Sequence, residues 1–427
     1  MKKSFLLGAG FSYDFGMPLS KDLTKVFFSL FNEKNIQSLA QILASNNPYG
    51  TQRPISKEAL IDGLQLLLKD KKNEEINYEK TLSEIQELAE NYNKTQEEKD
   101  SYHYLFGIFY EIIHTLLSIY QEESFQLLYL RNKSCYSNFS KMLSDRETWI
   151  FSLNHDLFLE ALALDFNIPI TFGDQHDISF PLNNHEMNHK IKLTYSKRSE
   201  LSGDNQKFYC EKFGINLVKL HGGLSELEYK DRSIICNQSM SKKSSFELMA
   251  DYLMIQKMAY YHDGKMIPSG KDRVITNMDG ELDIICKSML TGGKKYSKTS
   301  NPKDGEEKLL IFDKVLVDIE ELTIVGYGFG DRHINDRISN AMVLNPKLKI
   351  VIVDPTISRI PDFLEQFNYD MRIKKVHSGI AQWIEYCHSG QWNYEQMSIL
   401  KENEQQRAII QNRVEQRIKM FYSQTPQ

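Results

Sequence analysis

Five short apolar runs limit what this chain can fold into more than any other feature of it. They are residues 4–8 (Ser-Phe-Leu-Leu-Gly), Trp149–Leu153, Leu217–Leu220, Leu322–Val325 and Ile350–Val353. Each is short and is bounded by a turn or a polar residue, the pattern of buried parallel strands. Helical periodicity follows the first run from about Leu19 to Phe31, and helical segments at 156–165 and 332–343 follow two others. Strands alternating with helices predict an α/β protein with a Rossmann-like, doubly wound parallel sheet.

Residues 34–139 break that alternation. Ala59 to Leu68 is amphipathic, Tyr78 to Tyr92 sets charges between apolar positions, and 102–130 carries Leu, Ile, Phe and Tyr at helical spacing. This block is expected to be an α-helical insertion, with residues 1–33 and 140–390 forming the Rossmann-like domain around it. Residues 391–427 are expected to be a C-terminal helical tail. Its stripe at Ile410, Val414, Ile418 and Phe421 should pack on the parent domain or a sister subunit. The stretch 291–307 is polar and is expected to be a mobile surface loop carrying Lys294, Lys295 and Lys298.

With 427 residues the chain can bury a full core. Its net charge of -5 gives no bulk attraction to nucleic acid. The opening MKKSFLLGAGFS has too short an apolar run for a signal peptide, and no stretch has the apolar length of a membrane helix. A soluble cytoplasmic protein is the expectation. The five cysteines (Cys135, Cys210, Cys236, Cys286 and Cys387) form no C-x-x-C pair, so neither a disulfide framework nor a cysteine zinc site is expected.

Chemistry-bearing residues gather where the apolar runs end. Gly8-Ala9-Gly10-Phe11-Ser12 is a G-x-G turn after a strand, the form in which backbone can approach a pyrophosphate; a plain tight turn is the alternative. Asn154, after the second run, has donor and acceptor groups suited to a ribose hydroxyl or a water. Asp156 could bind a polar neighbour or cap the next helix. His221, within Lys-Leu-His-Gly-Gly, can take a proton near neutral pH. Gly326-Tyr327-Gly328-Phe329-Gly330-Asp331 permits close contact with a ribose or phosphate, and Asp331 could equally cap a helix. Asp354 could accept from a ribose or close a turn.

Together LLGAGFS, FSLNHD, VKLHGG and IVGYGFGDRHIN resemble, in order, the motifs of the sirtuin-like family, and of its bacterial NAD-consuming branch in antiphage defence. The resemblance covers roughly residues 1–33 and 145–360. It implies an NAD+ glycohydrolase that releases nicotinamide and ADP-ribose, with Asn154 and His221 as the catalytic pair. It also implies that Gly8, Ala9, Gly10, Phe11, Ser12, Asp156, Gly326, Tyr327, Gly328, Asp331 and Asp354 hold NAD+, which is the substrate, with no metal. A homo-oligomer is implied, with a separate activating subunit, a HerA-type ATPase. Protein deacylation, ADP-ribosyl transfer and noncatalytic nucleotide sensing are the rival activities. Gly16-Met17-Pro18-Leu19-Ser20-Lys21 stands where deacylating sirtuins resemble G-I-P-D-F-R, and their four-cysteine zinc module is absent.

Two motifs look like decoys. His185-Glu186-Met187-Asn188-His189 matches H-E-x-x-H, but its flanks leave no room for the helix that zinc chemistry needs. Gly264 to Lys271 resembles a phosphate loop with one residue too many and Asp272 in place of Ser/Thr.

Overall fold

The computed structural model describes residues 2–423, apart from 48, 49, 51, 74–76, 205, 206, 243, 268–270, 292–305 and 370; for 394–401 and 421–423 it describes the backbone alone. The chain is a mixed α/β protein built on a seven-stranded parallel sheet. In chain order the strands of the molecule are β1 (Lys3–Leu7), β2 (Glu147–Ser152), β3 (Ile170–Thr171), β4 (His176–Pro181), β5 (Lys190–Lys197), β6 (Gly214–Lys219), β7 (Leu227–Tyr229) and β8 (Ile234–Gln238). They continue with β9 (Tyr261–His262), β10 (Lys265–Met266), β11 (Asp272–Thr276), β12 (Leu282–Lys287), β13 (Glu321–Val325), β14 (Lys349–Val353) and β15 (Ile373–Val376). The parallel sheet runs β15-β14-β13-β1-β2-β6-β3.

Strand alternation sorts its side chains onto two faces. Phe5, Leu7, Ile150, Leu217, Val351 and Val353 enter one core, while Leu6, Phe151, Val218, Ile324, Ile350 and Ile352 enter another. Burial on both faces is why these strands read as continuous apolar runs. The first core is shared with the helical block between β1 and β2, which contains no strand among its described residues. That block includes helices Lys57–Lys71, Tyr78–Glu90 and Gln96–Ser124. Thr95 opens the last of these with a capping box to Glu98, and a π-helical turn at Phe125–Tyr129 follows it.

The C-terminal helix Tyr394–Ser423 packs on this same chain. Ile410, Val414 and Ile418 are fully buried in the first core, and Arg417 pairs with Glu122 and Glu123 of helix Gln96–Ser124. Phe421 and the loop lysines Lys294, Lys295 and Lys298 lie outside the described residues and side chains.

Beyond the predicted sheet there is a second one, six-stranded and antiparallel, in the order β11-β12-β7-β8-β5-β4. It packs a separate small core with Ile255 and Met258. Strands β4, β5, β11 and β12 are half-exposed, while β7 and β8 are buried; β5 alternates exposed Lys190 and Lys192 with buried Ile191 and Leu193. The signal there is alternation, which is weaker than an apolar run. No helix among the described residues is long and apolar enough to cross a membrane.

Candidate functional site

The register of the parallel sheet brings the motif residues to one edge. Leu7 is paired with both Ser152 and Val325, Ser152 with Lys219, and Val325 with Val353. Gly8, Leu153, Leu220, Gly326 and Asp354 therefore leave adjacent strands together, at their carboxyl ends. After β1 the chain builds outward through β2 and β6, and it later returns on the other side through β13 and β14. The switch point, where open α/β sheets form their ligand crevice, is thus between β1 and β13.

The two glycine segments meet at that point, backbone on backbone. The Gly10 amide donates to the Gly326 carbonyl at 2.9 Å. A Cβ on Gly10 would lie 2.6 Å from the Gly326 Cα, and one on Gly326 would lie 2.4 Å from the Gly10 Cα. Gly326 also has φ +57°, which side-chain-bearing residues rarely adopt. The amides of Gly8, Gly10 and Phe11 all donate to backbone carbonyls, so close packing accounts for the glycines of this turn. Ala9 is exposed at the turn, and Phe11 is buried with its ring edge-on to Phe15 and Tyr136.

Asn154 reaches this turn from β2. Its Nδ2 donates to the Gly8 carbonyl at 2.8 Å and to Ser12 Oγ at 3.1 Å. A carbonyl only accepts, so the amide orientation is fixed, and Oδ1 receives no hydrogen bond from the described residues. The Ser12 hydroxyl also hydrogen-bonds the Asp156 carboxylate. Asp156 is buried, and its Oδ1 accepts from the Phe158 amide at the start of the next helix. Burial raises the Asp156 pKa, against the pull of Lys219 and of the Ser12 hydrogen bond. Lys219 is itself buried; its ammonium pairs with Glu160 at 2.6 Å and donates to the Asp156 carbonyl. Both halves of that pair have side chains at most 3% exposed, and burial pushes the Glu160 carboxyl up.

His221 stands two residues beyond Lys219, as Asn154 stands two beyond its register partner Ser152. The loops that carry them are tied together by His155 Nδ1 against the Gly222 carbonyl and by the Leu224 amide on the His155 carbonyl. His221 is 2% exposed, and its carbonyl accepts from the Leu290 amide at 2.8 Å. Across from it lies the segment after β13, where the His333 ring centroid is 5.8 Å from that of His221. Nitrogens of these two imidazoles and a carboxylate oxygen of Asp331 all fall within 4.8 Å of one another.

The loop that carries Asp331 holds itself in place. Tyr327 is buried, and its hydroxyl receives the Asp331 amide and contacts Asn335 Oδ1, each at 3.1 Å. Asn335 Nδ2 closes back on the Phe329 carbonyl at 2.8 Å. Asp331 occupies the N-cap position of helix Arg332–Leu344, yet its side chain makes no capping hydrogen bond. Gly328 and Gly330 face open space. Asp354 Oδ1 accepts from the Thr356 amide and hydroxyl, both at 2.7 Å, which is the turn-closing role.

The structure therefore gathers Asn154, Ser12, Asp156, His221, Asp331 and both glycine segments at one edge. His333, Lys219 and Glu160 belong to the same cluster without having been singled out from sequence. His333 lies two residues past Asp331 inside the quoted GYGFGDRHIN run, so spacing alone could have found it; nothing in sequence marks Glu160. The H-E-x-x-H run forms turns between β4 and β5, with Asn183 accepting from the His185 and Glu186 amides, and no helix aligns its histidines. Strand β11, not a helix, follows the Gly264–Lys271 stretch. The five cysteines are free thiols. The chain matches no family model, and no curated protein is significantly similar to it.

Proposed function

We propose that this chain is a sirtuin-like NAD+ glycohydrolase, with the crevice between β1 and β13 as the dinucleotide site. The observation that supports the reading is the placement of Asn154 and His221 at equivalent positions just beyond adjacent strands. Asn154 is locked by Gly8 and Ser12 with its amide oxygen left as an acceptor, and His221 leaves the adjacent strand at the equivalent position. In this reading the C1′–nitrogen bond of the nicotinamide ribose breaks and its electron pair departs with neutral nicotinamide. Positive charge develops on the sugar, as in glycoside cleavage. Asn154 Oδ1 orients a water or a ribose hydroxyl, and His221 accepts the proton that the attacking water releases. The products are nicotinamide, ADP-ribose and a proton.

The resemblance in four ordered motifs supports a role as toxic effector in antiphage defence, acting as an oligomer with a separate activating subunit such as a HerA-type ATPase. The test is to mix the purified chain, with and without that partner, with NAD+ and measure nicotinamide release. Asn154→Ala and His221→Ala should each lower turnover about 100-fold or more while the fold is retained. Turnover unchanged in both variants would remove the site. NAD+ consumption that needs an acceptor molecule would instead support deacylation or ADP-ribosyl transfer.

A further inference from the structure

We propose that His221, Asp331 and His333 form a binding site for a divalent transition cation of the zinc class, beside and partly shared with the Asn154–His221 pair. Their donor atoms already lie within 4.8 Å of one another, on the carboxyl end of β6 and the first turn of helix Arg332–Leu344. A tetrahedral zinc site, with bonds near 2 Å, needs donors roughly 3.3 Å apart. Small side-chain rotations would close that gap. Two imidazoles and one carboxylate select borderline ions such as zinc and cobalt over magnesium or calcium, which prefer all-oxygen sites.

A second observation concerns Asp331. A carboxylate at an N-cap normally accepts from the amides of its own first turn. Here it makes no such bond, and its oxygen lies against the histidines instead. The helix N-terminus opposes a cation, and a carboxylate at that position offsets the opposition. The backbone on both sides is held: Tyr327 and Asn335 fix the loop that carries Asp331, and the Leu290 amide fixes His221. Three protein ligands leave a coordination position that a water or a ligand can fill. His221 with its lone pair on a metal cannot accept a proton. Bound zinc therefore suppresses turnover by the proposed base; this last point rests on the glycohydrolase reading, whereas the metal site does not.

Binding is tested without NAD+. The purified full chain is titrated with Zn2+ against a chromophoric chelator and with Co2+ followed by its visible absorption. One equivalent should bind. His333→Ala and Asp331→Asn should each weaken binding at least tenfold, while His185→Ala, in the H-E-x-x-H turn, should leave it unchanged. Melting curves without metal show which variants fold; Asp331→Asn, which keeps the shape of the side chain, decides the matter if His333→Ala does not fold. Absence of stoichiometric uptake, loss of uptake in His185→Ala, or unaltered uptake in folded Asp331→Asn would each overturn the site. None of these results depends on NAD+ cleavage, so the two proposals fail separately.

Discussion

The edge of the parallel sheet where the motif residues gather has two halves built on opposite principles. On the β1 side, Gly8, Gly10 and Gly326 press backbone against backbone, and Asn154, Ser12 and Asp156 link side chains over a buried Lys219–Glu160 pair. On the β13 side, a Cβ at Gly328 or Gly330 would meet nothing within 4 Å, and Asp331 and His333 lie across from His221 on a loop and first helical turn that Tyr327 and Asn335 help to hold. Glycine serves both halves for opposite reasons, removing a Cβ that would collide in one and leaving room in the other. A closed half can hold a reacting group in one geometry, and an open half can admit ligands. That division suits the proposed glycohydrolase, which would have to orient one bond and let products leave.

The largest expected effect lies beneath the closed half. Lys219→Met leaves Glu160 buried without its cation and removes the donor to the Asp156 carbonyl. Removing one member of a buried ion pair costs about 3–5 kcal/mol. Chemical denaturation should register a loss of that size. A loss under about 1 kcal/mol would show that the closed half is not held from below.

The contrast between glycines is sharper still. Gly326→Ala would place a methyl 2.4 Å from the Gly10 Cα at φ +57°, at an expected cost of about 2–4 kcal/mol from overpacking and a left-handed backbone. Gly328→Ala meets nothing within 4 Å and should change stability by no more than about 0.5 kcal/mol. Equal effects in the two melting curves would erase the distinction between the halves.

Much of this arrangement is legible in the sequence because burial on both faces makes parallel strands apolar throughout, and the residue ending each strand is the one at the crevice. Leu7, Ser152, Lys219 and Val325 stand in register, so Gly8, Asn154, His221 and Gly326 converge without further information. What the sequence hides is the reason for each residue. The glycine turn reads as a phosphate cradle, yet its Gly8 and Gly10 amides go to the Val325 and Gly326 carbonyls, partners set by where the distant strand β13 falls, and its Phe11 amide goes to the Gly8 carbonyl within the turn. Lys219 looks like a surface charge within a strand because its partner Glu160 comes from a different element. The antiparallel sheet goes unseen because β5 shows only alternation, with exposed Lys190 and Lys192 between apolar positions, and its buried strands β7 and β8 are short and carry polar residues such as Glu228, Asn237 and Gln238.

Behind β6, beneath the closed half, lies a second polar cluster. Lys308 pairs with Glu226 and donates to the Lys219 carbonyl, while Asp174 accepts from Thr194 and Asn237. Desolvation pushes the Asp174 carboxyl from 3.8 up to about 6, and the charge of Glu226 adds to the shift. With the folded pKa above the unfolded one, the native state binds more protons between pH 3.8 and 6, so this group's contribution to stability falls as pH rises through that window. Asp174→Asn should remove that fall. Discounted for partial exposure, the variant should gain about 1–2 kcal/mol over the parent at pH 7 and little at pH 4. Parallel melting-temperature profiles for the two proteins would contradict the assignment.

Asp354 tests the outer limit of the open half, and it does so with the smallest effect. It ends β14, one strand beyond β13, where a carboxylate could reach a ribose. In the structure its Oδ1 instead holds the Thr356 amide and hydroxyl. The two roles separate by substitution. Asparagine keeps an oxygen in the same place and loses only the charge, whereas alanine loses the turn. If the turn is the whole role, Asp354→Ala costs about 0.5–1 kcal/mol, Asp354→Asn costs almost nothing, and KM for NAD+ is unchanged in the asparagine variant. A several-fold rise in KM for Asp354→Asn at unchanged stability would instead extend the ligand crevice one strand further, past β13 to β14, and make the open half the wider of the two.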